Sequence, residues 1–101
     1  MKVQFTRGAA ERWQEVIRTI GSVNRFAVQR IQQQVRRSLR RIGQFPSSGN
    51  FVREYPAMPV REFIVEPYRF VYHVDTARQL IRIVAVWHDA QLPAQPDLPA
   101  P

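Results

Sequence analysis

Two neighbouring stretches, VREFIVEPYRFVYHVD (residues 60–75) and LIRIVAVWH (residues 80–88), carry the clearest structural pattern in the chain. Apolar and polar side chains alternate along both, which is typical of strands that bury one face. Pro67 and the segment 76–79 interrupt the alternation over distances suited to tight connections. The pattern therefore predicts three strands, over residues 60–66, 68–75 and 80–88, arranged as an antiparallel meander.

The alternation also predicts which side chains face the core. In the middle strand these are Tyr68, Phe70, Tyr72 and Val74. In the last strand they are Ile81, Ile83, Ala85 and Trp87, with Arg82, Val84, Val86 and His88 on the opposite face. Arg61 shares a face with Phe63 and Val65, so it lies either at the rim of the core or on the other side of a bulge near Pro67. We expect the face opposite the core to be polar and partly free.

The N-terminal half combines one short strand with two helices. KVQFT (residues 2–6) alternates like a strand, and Arg7 and Gly8 are then expected to turn the chain. A first helical stripe ends at Gly21, and it comprises Ala9, Ala10, Trp13, Val16, Ile17 and Ile20. A second begins at Ser22 or Asn24 and ends at Gly43 and Pro46, and it comprises Ala27, Ile31, Val35, Leu39 and Ile42. The sequence thus predicts an α+β fold of order β-α-α-β-β-β. A helix hairpin covers one face of a mainly antiparallel sheet, and the helical crossover allows the first strand to pair in parallel.

Length and composition favour one domain. The chain has 101 residues, of which 45% are apolar, and it has no cysteine. We expect residues 1–91 to form the domain and the Pro-rich residues 92–101 to form a mobile or extended tail. The N-terminus lacks the pattern of a signal peptide, and no apolar run has the length of a membrane span. A cytoplasmic location is therefore expected, with no membrane partner.

Positive charge is concentrated in the middle of the chain. Fifteen basic residues face eight acidic ones, for a net charge of +7. No acidic residue lies between Glu15 and Glu54, whereas this interval holds Arg18, Arg25, Arg30, Arg36, Arg37, Arg40, Arg41 and Arg53. Such a field attracts polyanions, namely RNA, DNA or an acidic protein. The alternative is a solvated helix face without a partner.

Familiar catalytic and cofactor motifs are absent from the sequence. His73 and His88 come without cysteines and without a ligand spacing, so no metal and no cofactor is expected. The strand pattern places Arg69, His73, Arg82 and His88 on the predicted free face, with Arg61 as a further candidate. Arginine and histidine together are suited to hold a phosphate and to protonate a leaving oxygen. The alternative is an ordinary solvated sheet face.

The sequence resembles the RelE/ParE superfamily of bacterial type II toxins. The resemblance rests on an R-x-F strand at Arg61, a Y-R-φ-φ-Y strand at residues 68–72, a last strand that ends in φ-x-H at His88, and the Pro46-Ser-Ser-Gly49 loop. It covers roughly residues 1–90 in order and spacing. It implies a RelE/ParE-like fold, and a toxin that is neutralised by a small acidic antitoxin. Trp13, Arg30, Arg37 and Arg41 are the residues expected to contact that antitoxin.

The superfamily divides by mechanism. The RelE- and YoeB-like branch cleaves mRNA in the ribosome, and by position Arg69 and His88 would then be catalytic. Arg61, Arg82 and His73 would contact phosphate or the target. The ParE-like branch poisons DNA gyrase without nuclease chemistry. A third alternative is a diverged, non-toxic relative that only binds an antitoxin.

Two departures from the ribonuclease pattern favour the ParE-like branch. The loop at residues 45–50 lacks the glutamate that serves as a base in YoeB-like proteins, and Lys2 is the only lysine, so no RelE-like lysine cluster replaces it. Asp89 also stands where a tyrosine or basic residue would follow the histidine. The ParE-like reading therefore predicts DNA gyrase as the target, and the ribonuclease reading predicts the ribosome and its mRNA.

Overall fold

A computed structural model describes residues 1–99. Its elements are β1 (Lys2–Phe5), α1 (Arg7–Val23), α2 (Arg25–Gln44), β2 (Asn50–Phe51), β3 (Arg61–Val65), β4 (Tyr68–Asp75) and β5 (Leu80–His88), with a 3₁₀ turn at Pro46–Ser48. The sheet has the order β1-β5-β4-β3-β2, in which only β1 pairs in parallel. The predicted α+β fold is confirmed, and the first strand adopts the parallel pairing that the crossover allows. The two-residue strand β2 is an addition that the sequence did not predict.

Both helices begin on side-chain caps. The Thr6 hydroxyl accepts a hydrogen bond from the Ala9 amide, so α1 starts at Arg7 and the predicted turn at Arg7 and Gly8 is wrong. The Asn24 side chain accepts from the amides of Phe26 and Ala27, which makes it the N-cap of α2. Ser22, the other candidate, instead donates to the Thr19 carbonyl.

Gly21 lies inside α1 and does not end it, contrary to prediction. A β-carbon placed on Gly21 would lie 3.3 Å from Cγ2 of Val28 in α2. The glycine therefore allows the two helices to approach closely just before the connection at Asn24. Gly21 therefore serves helix packing. Its position just after the last apolar residue of the helical stripe predicted a helix end instead.

A β-bulge in β5 changes the predicted faces of the last strand. Val71 pairs with Ala85 and Tyr72 with Ile83, so Val84 has no direct partner. Beyond the bulge the alternation is reversed: Val86 joins the core beneath the helices, whereas Trp87 packs on the far face of the sheet. The prediction that Ala85 and Trp87 face the helices and that Val86 faces away is therefore wrong.

The register of β3 places Arg61 at the rim of the core. Arg61 is directly opposite Tyr72, and Phe63 is opposite Phe70, with which it stacks at 4.9 Å between ring centroids. Because directly paired residues share a face, Arg61 and Phe63 point to the helix side. Glu62 and Ile64 point to the far face. This settles the ambiguity that the sequence left at residues 60–66.

The far face of the sheet is largely covered, although the sequence predicted that it would be partly free. Residues 52–60 fold back across it and form a second apolar cluster. The buried members of this cluster are Val52, Val60, Val71, Val84 and Trp87. Residues 92–99 have no regular secondary structure and also lie on this face, so the tail is seated on the domain where the structure describes it. Residues 100 and 101 lie outside the described residues.

Candidate functional site

Arg69, the arginine of the Y-R-φ-φ-Y pattern, is held between two carboxylates. Its Nε and Nη2 atoms donate to Glu62 at 2.7–3.1 Å, and Nη1 and Nη2 donate to Glu54 at 2.9 and 2.8 Å. Only 11% of the Arg69 side chain and 7% of the Glu62 side chain are exposed. The guanidinium also lies 5.1 Å from the ring centroid of Trp87, its cross-strand neighbour. We call this group of Glu54, Glu62 and Arg69 the Arg69 clamp.

The charges of the clamp shift the pKa values of Glu54 and Arg69. Hydrogen bonds from Arg69 lower the pKa of Glu54 to about 2. Glu54 and then Glu62 raise the pKa of Arg69 above its ordinary value. Glu54 is therefore ionised at neutral pH. Counted by formal charge, one cation and two carboxylates give the clamp a net charge of −1.

The hollow beside the clamp is also unfavourable for an anion. It encloses about 550 Å³, and its charged lining residues are Arg53, Glu54, Glu62, Arg69 and Asp89, which sum to −1. On its edge, a hydrogen bond with Asp89 raises the pKa of Glu66, as happens when two carboxyl groups compete for one proton. A phosphate would have to displace a carboxylate from Arg69 and enter a negative site. Arg69 is thus not available as a phosphate ligand in this conformation.

His88 lies on the other side of the sheet from Arg69. The bulge turns it towards Tyr68, its direct cross-strand partner, and the two rings meet edge-to-face at 5.3 Å. Tyr68 in turn packs against Trp13 of α1. The Ala90 amide donates to Nδ1 of His88 at 3.0 Å, so this ring nitrogen is engaged by the main chain of the next turn. The predicted placement of Arg69 and His88 on one face is wrong, because the bulge reverses the alternation between them.

The remaining candidates for phosphate or target contact do not form one site either. Arg61, on the helix side, donates to the Gly49 carbonyl at 2.9 Å and lies 4.3 Å from the ring centroid of Phe51. Arg82 and His73 are cross-strand partners on the far face. His73 is four residues from Arg69 on the same strand, a separation of about 13 Å. A single phosphate group cannot contact both Arg69 and His73 over that distance.

His73 and Arg82 nevertheless form a local polar pair. Nη1 of Arg82 lies 3.6 Å from the Asp75 carboxylate. Gln4 of β1 is the direct partner of Arg82 on its other side. Nδ1 of His73 is buried and has no hydrogen-bond partner among the described residues. The pair is the part of the predicted cluster that the fold keeps together.

The loop after α2 is anchored from below and carries no catalytic base. The Tyr72 hydroxyl donates to the Pro46 carbonyl at 2.7 Å and accepts from the Gly49 amide at 2.9 Å. A β-carbon on Gly49 would lie 2.7 Å from the Glu62 carbonyl oxygen, so this position requires glycine for close approach. The loop is therefore a fixed structural element, and Glu54 and Glu62, the next glutamates along the chain, are both engaged in the Arg69 clamp.

The basic residues expected to contact an antitoxin occupy one flank of α2. Arg30, Arg37 and Arg41 are exposed, and none of the six arginines of α2 lies within 4.0 Å of a carboxylate in the described part of the chain. Arg37 and Arg41 line a groove of about 520 Å³ against β3. We call it the α2–β3 groove; its residues are Gln34, Arg37, Ser38, Arg41, Ile64, Val65 and Glu66.

The strand at the floor of this groove has a partly open edge. The short β2 pairs only with Arg61 and Glu62, so the outer edge of β3 from Phe63 to Val65 has no partner strand among residues 1–99. Ile64 in this segment is 48% exposed. Trp13 is different from the arginines: it is buried, and its ring packs on Tyr68 and Phe70. It therefore supports the hairpin from inside and offers little surface to a partner.

Sequence reasoning missed the two glutamates of the clamp. Glu62 and Arg69 are diagonal neighbours in the antiparallel β3–β4 pair, where Glu62 is opposite Val71 and Ile64 is opposite Arg69. The tight connection at residues 66–67 contained that signal, because it fixes Val65 opposite Tyr68. Glu54 comes from the irregular segment 52–60, and nothing in its local sequence indicates the contact.

Comparison with known proteins gives a consistent family. The model of the family described as "ParE toxin of type II toxin-antitoxin system, parDE" matches residues 3–93. A chain of the intact E. coli RelBE toxin-antitoxin complex has a similar fold, with a TM-score of 0.59 and 18% sequence identity; the match covers 85% of this chain and 97% of that one. No curated protein matches the sequence. No helix within residues 1–99 is long and apolar enough to cross a membrane. Because the family model matches nearly the whole chain, this protein belongs to the ParE toxin family of type II toxin-antitoxin systems.

Proposed function

We propose that this toxin inhibits growth by poisoning DNA gyrase in the cytoplasm and has no nuclease activity of its own. The observation that carries the proposal is the Arg69 clamp. A ribonuclease of the related branch needs this arginine free to hold the scissile phosphate, and here Glu54 and Glu62 take four of its five N–H groups. A ParE-type toxin acts by binding, so a neutralised arginine is compatible with its function.

The position of His88 supports the same conclusion. A general acid has to reach the same substrate as the group that holds the phosphate, within hydrogen-bond distance or through one water. His88 and Arg69 lie on opposite faces of the sheet, so they cannot act on one phosphodiester without a rearrangement of β5. The proposal therefore assigns His88 to packing against Tyr68.

An in-cell experiment separates gyrase poisoning from mRNA cleavage. Induction of the chain is expected to stop DNA synthesis first and to leave the ends of abundant mRNAs unchanged when these are mapped by primer extension. His88→Ala is expected to retain the effect. Early mRNA cleavage that depends on His88 would support the ribonuclease alternative. The absence of any growth defect would support the non-toxic relative.

The proposed partner is a small acidic antitoxin that occupies the α2–β3 groove. An extended segment could add to the open edge of β3, and its carboxylates could pair with Arg37 and Arg41. The free antitoxin segment would gain order on binding. In this proposal residues 1–91 form the toxin domain and residues 92–101 are its Pro-rich C-terminal tail.

Charge reversal on α2 tests this partner assignment. Arg37→Glu with Arg41→Glu should weaken binding of the acidic protein encoded next to the toxin by at least about ten-fold, since close interfacial charge pairs carry about 1.5 kcal/mol or more. The matched control is Arg36→Glu with Arg40→Glu, which makes the same charge change away from the groove residues. Isothermal titration calorimetry measures both. Equal losses in the two double variants would mean that only net charge matters.

A further inference from the structure

The tail has a regular proline spacing that the toxin function does not explain. Pro93, Pro96 and Pro99 recur every third residue in the segment LPAQPDLP (residues 92–99). A polyproline II helix has roughly three residues per turn, so such prolines lie along one edge of it. The burial follows this spacing: Pro93 and Pro99 are partly buried and Pro96 is buried, whereas Leu92 is 92% exposed.

The surface beneath the tail is aromatic and apolar. The rings of Tyr55 and Trp87 lie 6.3 Å apart, and the Tyr55 hydroxyl donates to the Pro93 carbonyl at 2.9 Å. Leu98 packs on the same apolar cluster as Trp87 and Val84. Aromatic side chains that bind proline rings, together with a donor to a carbonyl of the same segment, are the chemistry by which grooves recognise extended Pro-rich peptides.

The tail is held by few contacts and does not fill its groove. Within residues 1–99, no hydrogen bond between two main-chain groups joins residues 92–99 to the rest of the protein. About 560 Å³ remains open between the tail and the body, bordered by the start of α1 at residues 6–9 and by Val84, Ala85 and Trp87 of β5. Proline has no amide hydrogen, so the segment cannot pair as a regular strand. The tail therefore contacts the body as a bound peptide contacts a binding site. It does not extend the sheet.

We propose that this surface is a binding groove for polyproline II peptides and that the chain's own residues 92–99 occupy it. The tail acts as a tethered ligand, and a tether of a few residues gives it an effective concentration of roughly millimolar. A free Pro-rich peptide binds the groove only when the tail is displaced. This proposal does not depend on gyrase or on the antitoxin, so it stands or falls separately from the proposed toxin activity.

The test uses the full chain and a fluorescein-labelled peptide with the sequence of residues 92–99. In the vacated variant, Pro93→Ala, Pro96→Ala and Leu98→Ala release the tail while the groove residues are unchanged. We expect this variant to bind the peptide at least about ten-fold more tightly than the wild-type chain in fluorescence anisotropy, because the tethered tail no longer competes. A control peptide with alanine in place of its prolines should bind at least about five-fold more weakly.

Two further variants keep the test decisive. Leu98→Ala alone should give an intermediate affinity, and it serves if circular dichroism shows that the triple variant is unfolded. Tyr55→Phe in the vacated variant should weaken peptide binding several-fold, because it removes the donor to the Pro93 carbonyl. The proposal is overturned if the folded vacated variant and the wild-type chain bind the peptide equally, if neither binds it, or if the two peptides bind alike.

Discussion

Glu62 has only 5% of its surface exposed, and Arg69 is the residue that compensates its charge in the described structure. A buried carboxylate without a partner is costly, because the protein interior solvates charge poorly. The arginine of the Y-R-φ-φ-Y pattern therefore has a structural role here. It also joins β4 to the segment 52–60 through Glu54, and so holds that segment over Trp87.

Replacement of Arg69 tests this role. Arg69→Met should lower the free energy of unfolding by about 3–5 kcal/mol, because it leaves Glu62 buried and unpaired. The matched control is Arg78→Met, whose ion pair with Asp75 is half exposed and is backed by Arg82, so little change is expected. Urea denaturation measures both. An unfolding free energy for Arg69→Met that equals that of Arg78→Met would show that the clamp contributes nothing.

The depressed pKa of Glu54 predicts acid sensitivity. Its folded pKa of about 2 lies below its ordinary value of 4.5, so its contribution to stability is complete above about pH 5 and is lost as the pH falls towards 2. Glu54→Gln removes this contribution. The variant should be less stable than the wild type at pH 7, and the two curves should converge on acidification. Thermal unfolding between pH 7 and pH 2 measures this, and a constant difference across the range would contradict the assignment.

At the level of the elements, most of the order was predictable because alternation, helical spacing and turn residues agree along the chain. The bulge in β5 was not predictable. Residues 83–87 are all apolar, so no polar side chain marks the point at which the alternation reverses. That one irregularity moved His88 away from Arg69 and divided the predicted site. The clamp needed the register of β3 and β4, and its second glutamate comes from an irregular segment.

The junction of the two helices offers a clean test of an element boundary. Asn24→Ala should lower the free energy of unfolding by about 1 kcal/mol, since the Asn24 side chain accepts from two amides at the start of α2. Ser22→Ala is the control, because that hydroxyl caps no helix amide and its loss should cost little. Chemical denaturation of the two variants distinguishes these roles. Equal losses of stability in the two variants would mean that Asn24 is not the N-cap of α2.

For the whole molecule, the two sides of the sheet have different chemistry. The helix side carries the arginines of α2, which have no carboxylate partners among residues 1–99, next to an open strand edge. The far side carries the Arg69 clamp and the His73–Arg82 pair beside an apolar cluster that residues 52–60 and the tail cover. A net charge of +7 favours association with acidic partners, and six arginines without a carboxylate partner among residues 1–99 lie on α2. The proposed antitoxin site lies on the helix side, and the proposed groove for Pro-rich peptides lies on the far side.

The proposed action on gyrase and not on RNA, by a ParE-family toxin whose Arg69 is neutralised, belongs to the whole molecule and its target. The most direct measurement incubates the purified chain with purified gyrase and supercoiled plasmid, and in parallel with ribosomes translating a defined mRNA. We expect linear plasmid to accumulate only when gyrase is present, and the mRNA to stay intact. Cleaved mRNA with unaffected gyrase, abolished by Arg69→Lys in a variant that remains folded, would contradict it.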